Sequence, residues 1–260
     1  DDFPLQYFFD VRDAIKRIRL ENTHLEESEL FDLRRSLQTI NDIVRYLNRA
    51  EDKGEDVDPA PLYPALYRLT QDVATYPQLV QGIDQILDKF GHIRDNASPE
   101  LLNIRRELAR AESSVSKTLY SILRSAQSEG LVDKDVTPTL RDGRLVIPVM
   151  PGMKRKISGI VHDESATGKT VFIEPSEVVE ANNRIRELES EERHEIIRIL
   201  TTFTNKVRPH SRDILESYSF LATIDFIRAK AELAKLTKAI EPEITEKPHV
   251  AWIQSRHPLL

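Results

Sequence analysis

Between residues 98 and 207 the spacing of apolar residues changes from three-and-four to two and back again, and few folds accommodate that change. Leu101, Ile104, Leu108, Ala111, Val115, Thr118 and Ile122 alternate steps of three and four, the seam of a helix laid lengthwise on a second helix. Ser98 before Pro99 marks its start, with Glu100 and Glu107 toward the end where a helix favours acids. The partner lies further on. Beyond Ser176, read as a cap, Val178, Asn182, Ile185, Ile196, Ile199 and Phe203 keep a similar register to about Val207. Each helix, at roughly 30 residues, reaches about 45 Å. The middle of the second, RELESEERHE, has Leu188 as its only apolar member, so it cannot sit in a globular core. The pattern predicts a two-helix arm projecting into solvent. Glu189 and Glu192 fall at seam positions, and carboxylates are costly to bury, so the helices are expected to separate or admit water there.

In the intervening residues 137 to 175 the period is two. RDG is a turn, RLVIPV a strand, PGM a second turn, KISGIVHD a strand, ESATGK a third turn and TVFIE a strand, with TPTL in front. This predicts a small antiparallel sheet of about four strands. The stretch DESATGKT ends like a phosphate-binding loop, but Asp163 stands where that loop needs its first glycine. A helix should follow such a loop directly. Here VFIEPS follows, which reads as a strand stopped by Pro175, so the segment is expected to be a hairpin.

The flanking sequence is helical. Residues 7 to 50 carry two patterns, Ile15 and Ile18 in the first and Leu30, Leu33, Leu37, Ile40, Val44 and Leu47 in the second. EDKGEDVDPAP, at 51 to 61, is an acidic connector, followed by shorter helices around 62 to 74 and 77 to 90. Charged residues at 31% against 8 glycines and 7% aromatics favour helix over a sandwich or barrel. The expected fold is mainly α: a helical core carrying a long antiparallel two-helix lever with a small β unit at its tip. Its parts are the core at 1–97, the outgoing helix at 98–136, the β unit at 137–175, the returning helix at 176–207, the core continued at 208–243, and at 244–260 the start of a further domain. The first residue is not Met and the chain stops at SRHPLL, which predicts a piece of something longer. Trp252, in HVAWIQS, reads as the first edge of that further domain.

With no cysteine there is no disulfide framework, thiolate metal site or cysteine nucleophile, and a reducing cytoplasm is permitted. No stretch approaches the roughly 20 consecutive apolar residues of a membrane span. The net charge of −6 opposes a uniformly basic surface, so any nucleic-acid site must be local. One local concentration stands out. Between residues 141 and 169, Arg141, Arg144, Lys154, Arg155, Lys156 and Lys169 oppose only Asp142, Asp163 and Glu164. Cations on an exposed hairpin also serve solubility and block edge pairing. Gathered in turns at the end of an arm, they suit backbone phosphates gripped without reading bases.

Other constellations fail their own requirements. HEIIR begins like a zinc helix, but Arg198 occupies the second ligand position. Ser114 and Lys117 match S-x-x-K, with no K-T-G or S-D-N to follow. His162, Asp163 and Glu164 alternate faces in a strand, which opposes a shared metal and favours turn geometry and hydrogen bonding. No catalytic, cofactor or metal residue is assigned.

ASPELLNIRRELARAE, TLRDGRLVIPV, SGIVHDESATGKTVFIEPSEVVEANNRIRELE, LATIDFIRAKAELAKL and RHPLL together resemble the second-type bacterial branch of the MutS mismatch-repair family. The similarity runs through essentially the whole chain. It implies that these residues are a core and lever domain with a clamp inserted, and that RHP leads into an ATPase domain beyond Leu260, where ATP and magnesium would bind. Branch members commonly carry other small residues at the position of Lys169, which lowers that lysine's weight. The resemblance further implies a dimeric ATPase in the full-length protein, without the mismatch-sensing domain and usually ending in a small Smr-type nuclease domain. Such proteins are associated with branched DNA and recombination control, and some with stalled, collided ribosomes. DNA or ribosomal RNA, held without sequence preference, is therefore the expected partner. The rival expectation is a purely structural arm that spaces or dimerises and touches no nucleic acid. On either, these residues are not an enzyme. The purified chain should hydrolyse no ATP; turnover that disappears in Lys169→Ala would contradict the reading of DESATGKT.

Overall fold

The computed structural model of the chain describes residues 3–5, 8–50, 60–244, 246 and 248–250. Its helices and strands follow in the order α1 (Arg12–Arg17), α2 (Glu27–Leu47), α3 (Pro64–Arg68), α4 (Pro77–Ile86), α5 (Pro99–Ser128), β1 (Thr139–Arg141), β2 (Arg144–Val149), β3 (Gly159–Glu164), β4 (Val171–Pro175), α6 (Val179–Val207) and α7 (Ser211–Thr237). The chain is mainly α with one small antiparallel sheet. It groups into two compact units, residues 1–81 with 206–260, and residues 82–205.

In the first unit, Leu30, Leu33, Leu37, Ile40, Val44 and Leu47 are all buried along α2, as their spacing requires. Ile15, Ile18, Ile214, Leu221 and Ile224 are buried in the same unit. Arg208 joins its two sequence segments by donating to the carbonyls of Ile18 at 2.6 Å and Thr23 at 2.9 Å. The helix expected over 62 to 74 shrinks to α3. The Thr70 hydroxyl bonds the Tyr67 carbonyl and the Asn48 amide oxygen, a side-chain alternative to continuing the helix. The helix expected to reach residue 90 ends with α4 at Ile86, because Asp88 Oδ1 accepts from the backbone N–H of Phe90 and His92 and closes a turn. Most of the 51–61 connector, together with Trp252 and RHPLL, lies outside the described residues.

The second unit is built on α5, α6 and the sheet. Ser98 caps α5: its Oγ accepts from the Leu101 N–H at 3.0 Å and donates to Glu195 Oε1 of α6 at 2.5 Å. Arg105 donates to Glu192 at 2.7 Å, and Arg184 to Glu107 at 3.2 Å. Partners that rise in number on α5 fall on α6, so the two helices pair antiparallel. The carboxylates turned toward α5 are thus Glu192 and Glu195, in place of the expected Glu189 and Glu192. They do not force the helices apart. Arg198 grips Glu195 at 2.6 and 2.7 Å, and its guanidinium, with help from Ser98, holds that carboxyl below its ordinary pKa against the opposing effect of burial.

The expected seam of α5 is also corrected. Its fully buried residues are Leu101, Val115, Leu119, Leu123 and Ala126, so beyond Val115 the row steps to 119 and 123 instead of 118 and 122. A real helix of 3.6 residues per turn drifts about 20° per heptad against a 3.5 repeat. The partner changes too, since this end of α5 packs with Ile147, Val149 and Ile173 of the sheet and with Val178 and Ile185.

The strands lie in the order β1-β2-β4-β3, every neighbouring pair antiparallel. ESATGK joins β3 to β4 as a hairpin turn: the Ser165 N–H donates to the Thr170 carbonyl at 2.8 Å, and Gly168 takes the positive φ of 66° that the reversal needs. PGM is not a hairpin turn. It forms a short 3-10 turn at Pro151–Met153, and the chain then passes β4 to reach its far edge, burying Ile157 on the way. Gly159, where β3 begins, explains that landing point. A Cβ there would lie 2.1 Å from the carbonyl oxygen of Glu174, so only glycine lets the two backbones close. Gly159→Ala should detach the start of β3 and cost about 3 kcal/mol, the upper end of overpacking penalties. Hydrogen exchange would show it as faster exchange at β3 and β4 amides with α2 unchanged; equal protection at β3 would refute the close approach.

Candidate nucleic-acid interface

Strand β4 reads VFIEP, and all five residues are buried, which leaves the carboxylate of Glu174 0% exposed. Successive side chains of a strand point to opposite faces, so Val171 and Ile173 join the apolar core while Phe172 and Glu174 occupy the other side. A buried carboxylate requires partners. Glu174 accepts from Arg144 Nη1 at 2.8 and 3.1 Å and from Asn182 Nδ2 at 2.8 Å, and lies 2.5 Å from His162 Nε2. Burial is the largest single influence on its pKa and pushes it up, but the bonds from Asn182, His162 and Arg144 together outweigh it and hold the carboxyl below its ordinary 4.5. Three elements meet at this side chain: β2 through Arg144, β3 through His162 and α6 through Asn182.

The six candidate cations are thereby divided. Arg144 is 16% exposed, and its second nitrogen donates to Asn183 Oδ1 at 2.6 Å, so its guanidinium is committed to the interior. Arg141, at the end of β1, lies over the ring of Phe172 at 4.2 Å and only 3.9 Å from Asp163, with its side chain 45% exposed. Lys154, Arg155 and Lys156 follow the 3-10 turn as three consecutive exposed residues. Lys169 is exposed in the β3–β4 turn. None of these last four has an ion-pair partner among the described residues. Lys169 lies at the end of the sheet where Val171 pairs with Val149 and Glu164, and the 154–156 run lies on the connection from Val149 at that end to Gly159, which pairs with Pro175 at the opposite end of β4.

His162 and Asp163 serve hydrogen bonds, the first to Glu174 and the second to the Glu164 N–H at 2.8 Å. Among the described residues no three His, Asp or Glu side chains are placed to hold a metal ion, and no described helix is long and apolar enough to cross a membrane. The Glu174 hub escaped sequence reading. Its signal was a carboxylate inside a five-residue run otherwise fit for burial.

Because the folded-state pKa of Glu174 is depressed, its contribution to stability is complete above about pH 4.5 and is lost as pH falls through the lowered value. The sheet should therefore loosen on acidification. Glu174→Gln should cost about 3 kcal/mol at neutral pH, as expected when one partner of a buried ion pair is removed, and should flatten the acid dependence. Amide exchange of β2, β3 and β4 between pH 3 and 7 measures both effects; a Gln variant as protected as the parent would contradict the role of the hub.

No protein-family model matches the chain. Curated relatives do. It is 35% identical over 257 residues to Endonuclease MutS2 of Geobacillus sp. (strain WCH70), covering 99% of this chain and 32% of that protein. It is 35% identical over 257 residues to Endonuclease MutS2 of Enterococcus faecalis (strain ATCC 700802 / V583), with the same coverage. The MutS2 of Lacticaseibacillus paracasei (strain ATCC 334) is 36% identical over 257 residues, 99% of this chain and 31% of that protein. The chain spans about a third of the length of the curated relatives it matches. Matched over 99% of its length to about a third of each relative, the chain is homologous to these MutS2 proteins and consistent with a MutS2 fragment.

Proposed function

We propose that residues 82–205 are the lever and clamp of a MutS2-type ATPase, and that they grip DNA or ribosomal RNA by its backbone phosphates without chemistry of their own. The observation that carries this reading is the set of four exposed, unpaired cations, Lys154, Arg155, Lys156 and Lys169, on turns of a sheet whose other two arginines, Arg141 and Arg144, face Asp163 and Glu174. Flexible cations on turns suit phosphates, which fix position without conveying sequence. Arg141 contributes partly and Arg144 acts only by holding the sheet together. The antiparallel pairing of α5 and α6 supports the lever.

The GKT of residues 168 to 170 sits in a hairpin turn between two strands, which supports assigning ATP and magnesium to the part of the relatives' length outside this chain; this reading assigns the nuclease activity in their name and a homodimer to that part as well. The cytoplasm, where nucleic acid and reduced proteins coexist, is the compartment this reading requires.

Lys154, Arg155 and Lys156 replaced together by Glu should abolish binding of the chain to duplex DNA at low salt. In the parent, log affinity should fall with log salt, with about 0.9 of slope for each phosphate contact. Loss of binding with an unchanged helical circular dichroism signal supports the clamp. Equal binding by the triple variant removes the phosphates from this sheet, and failure of the parent chain to bind at all leaves the purely structural arm.

A further inference from the structure

The outward face of α5 carries a charge pattern that neither its core packing nor the sheet explains. At about 100° per residue, Arg106, Arg110, Lys117 and Arg124 fall in one row, opposite the buried Leu101, Val115, Leu119 and Ala126. All four cations are exposed, and none has an ion-pair partner among the described residues. Ser113, Ser114, Tyr120 and Ser121 stand between them. No aspartate or glutamate shares the row. Glu107, on its flank, is turned toward Arg184 at 3.2 Å. Arg110, Ser113, Ser114 and Lys117, with Ala109, line a shallow open depression.

A helix face that merely has to be solvated mixes its charges, and α6 does so. Its Arg184 is shared by Glu107, Glu187 and Glu191, and its Arg198 by Glu195 and Glu100. The α5 row is single-signed. Like charges four residues apart, as at Arg106 and Arg110, weaken a helix, so the row is a local cost that a polyanion would remove. It extends about 27 Å at 1.5 Å per residue, which is straight and long enough to follow several phosphates. Serine and tyrosine hydroxyls bond phosphate oxygens alongside Arg and Lys. Tyr120 is the row's one aromatic, too few for stacking the bases of a single strand.

We infer that the outward face of α5 is a second phosphate-binding surface, on which the backbone of a duplex nucleic acid lies. The inference rests on the nucleic-acid reading above for its class of partner, and on none of that reading's residues.

The chain has no cysteine, so Ser114→Cys can carry a single photo-crosslinker on this face and Glu187→Cys a matching one on α6. The probe is a DNA duplex of about twenty base pairs, bound by the 260-residue chain at low salt. The Ser114→Cys chain should crosslink to it and the Glu187→Cys chain should not. Replacing Arg106, Arg110, Lys117 and Arg124 by Gln should lower the slope of log affinity against log salt by about 0.9 per contact, about 3.6 for all four. An unchanged slope together with no crosslink from Ser114 overturns the inference, even if the Lys154, Arg155, Lys156 variant still loses binding and the clamp reading stands. Loss of binding in the four-Gln variant beside intact binding in that triple variant supports the α5 surface and removes the clamp contact. Crosslinking of Ser114 to a second copy of the chain, with none to the duplex, also overturns it. Should the four-Gln variant lose its helical signal, the crosslink in the otherwise unchanged chain decides.

Discussion

The second unit depends on one carboxylate. Glu174 is sealed from water and tied to Arg144, His162 and Asn182, so it joins two strands and the first turns of α6 through one side chain. Four strands of three to six residues need an apolar face or a helix packed against them to be stable. The apolar residues on its other side pack with α5, whereas on the Glu174 side the buried Val146 and Phe172 flank a carboxylate bonded to Arg144, His162 and Asn182. Polar bonds supply the cohesion there, and their directionality fixes where α6 leaves the sheet. A well-packed apolar replacement can hold as much stability, but it would not set that angle, because hydrophobic contact is non-directional.

The same logic recurs where α5 begins. Ser98 is both the cap of one helix and a donor to a carboxylate of the other, and Glu195 is held in turn by Arg198. A helix pair with an apolar stripe along its full length would be rigid and would demand burial. Here polar bonds pin α5 to α6 near Ser98 and Arg105, apolar packing joins α5 to the sheet and Ile185 from Val115 onward, and residues 102 to 114 of α5 hold no fully buried side chain. Regions with few buried apolar contacts are those that open most easily. By that measure residues 102 to 114 are the stretch of α5 least anchored by burial, and Glu192 and Glu195, each matched by a donor, are not its weak point.

Much of this was legible in the sequence. Every residue of the α2 row was read correctly because one helix face against one core is a single period with a single partner. The four strands and the β3–β4 turn were legible from alternation and from glycine placement. What failed were questions of partner. The seam of α5 was read as one row because the sequence cannot say that the helix exchanges a helical neighbour for a sheet at Val115. PGM was legible as a turn, but local turn chemistry does not reveal that β4, twenty residues later, will claim the edge of β2. Arg144 read as a free cation for the same reason, since Glu174 is its neighbour only after β2 and β4 have paired.

Charge shows the same limit from the other side. A cation's availability is decided by which carboxylates the fold brings to it, and the net charge of −6 hides how unevenly that happens. On α6 acids and bases neutralise one another within a few residues. On the outward face of α5 and on the turns after Met153 and Gly168 they do not, and the unpaired cations all lie on surfaces that carry no core contacts. A protein gains nothing in folding stability from single-signed surface rows, because exposed pairs contribute little and like charges repel. The matched networks at Glu174, Glu192 and Glu195 hold α5, α6 and the sheet in shape, and under the proposed function the cations that meet no carboxylate are the ones left to present that shape to an anionic partner.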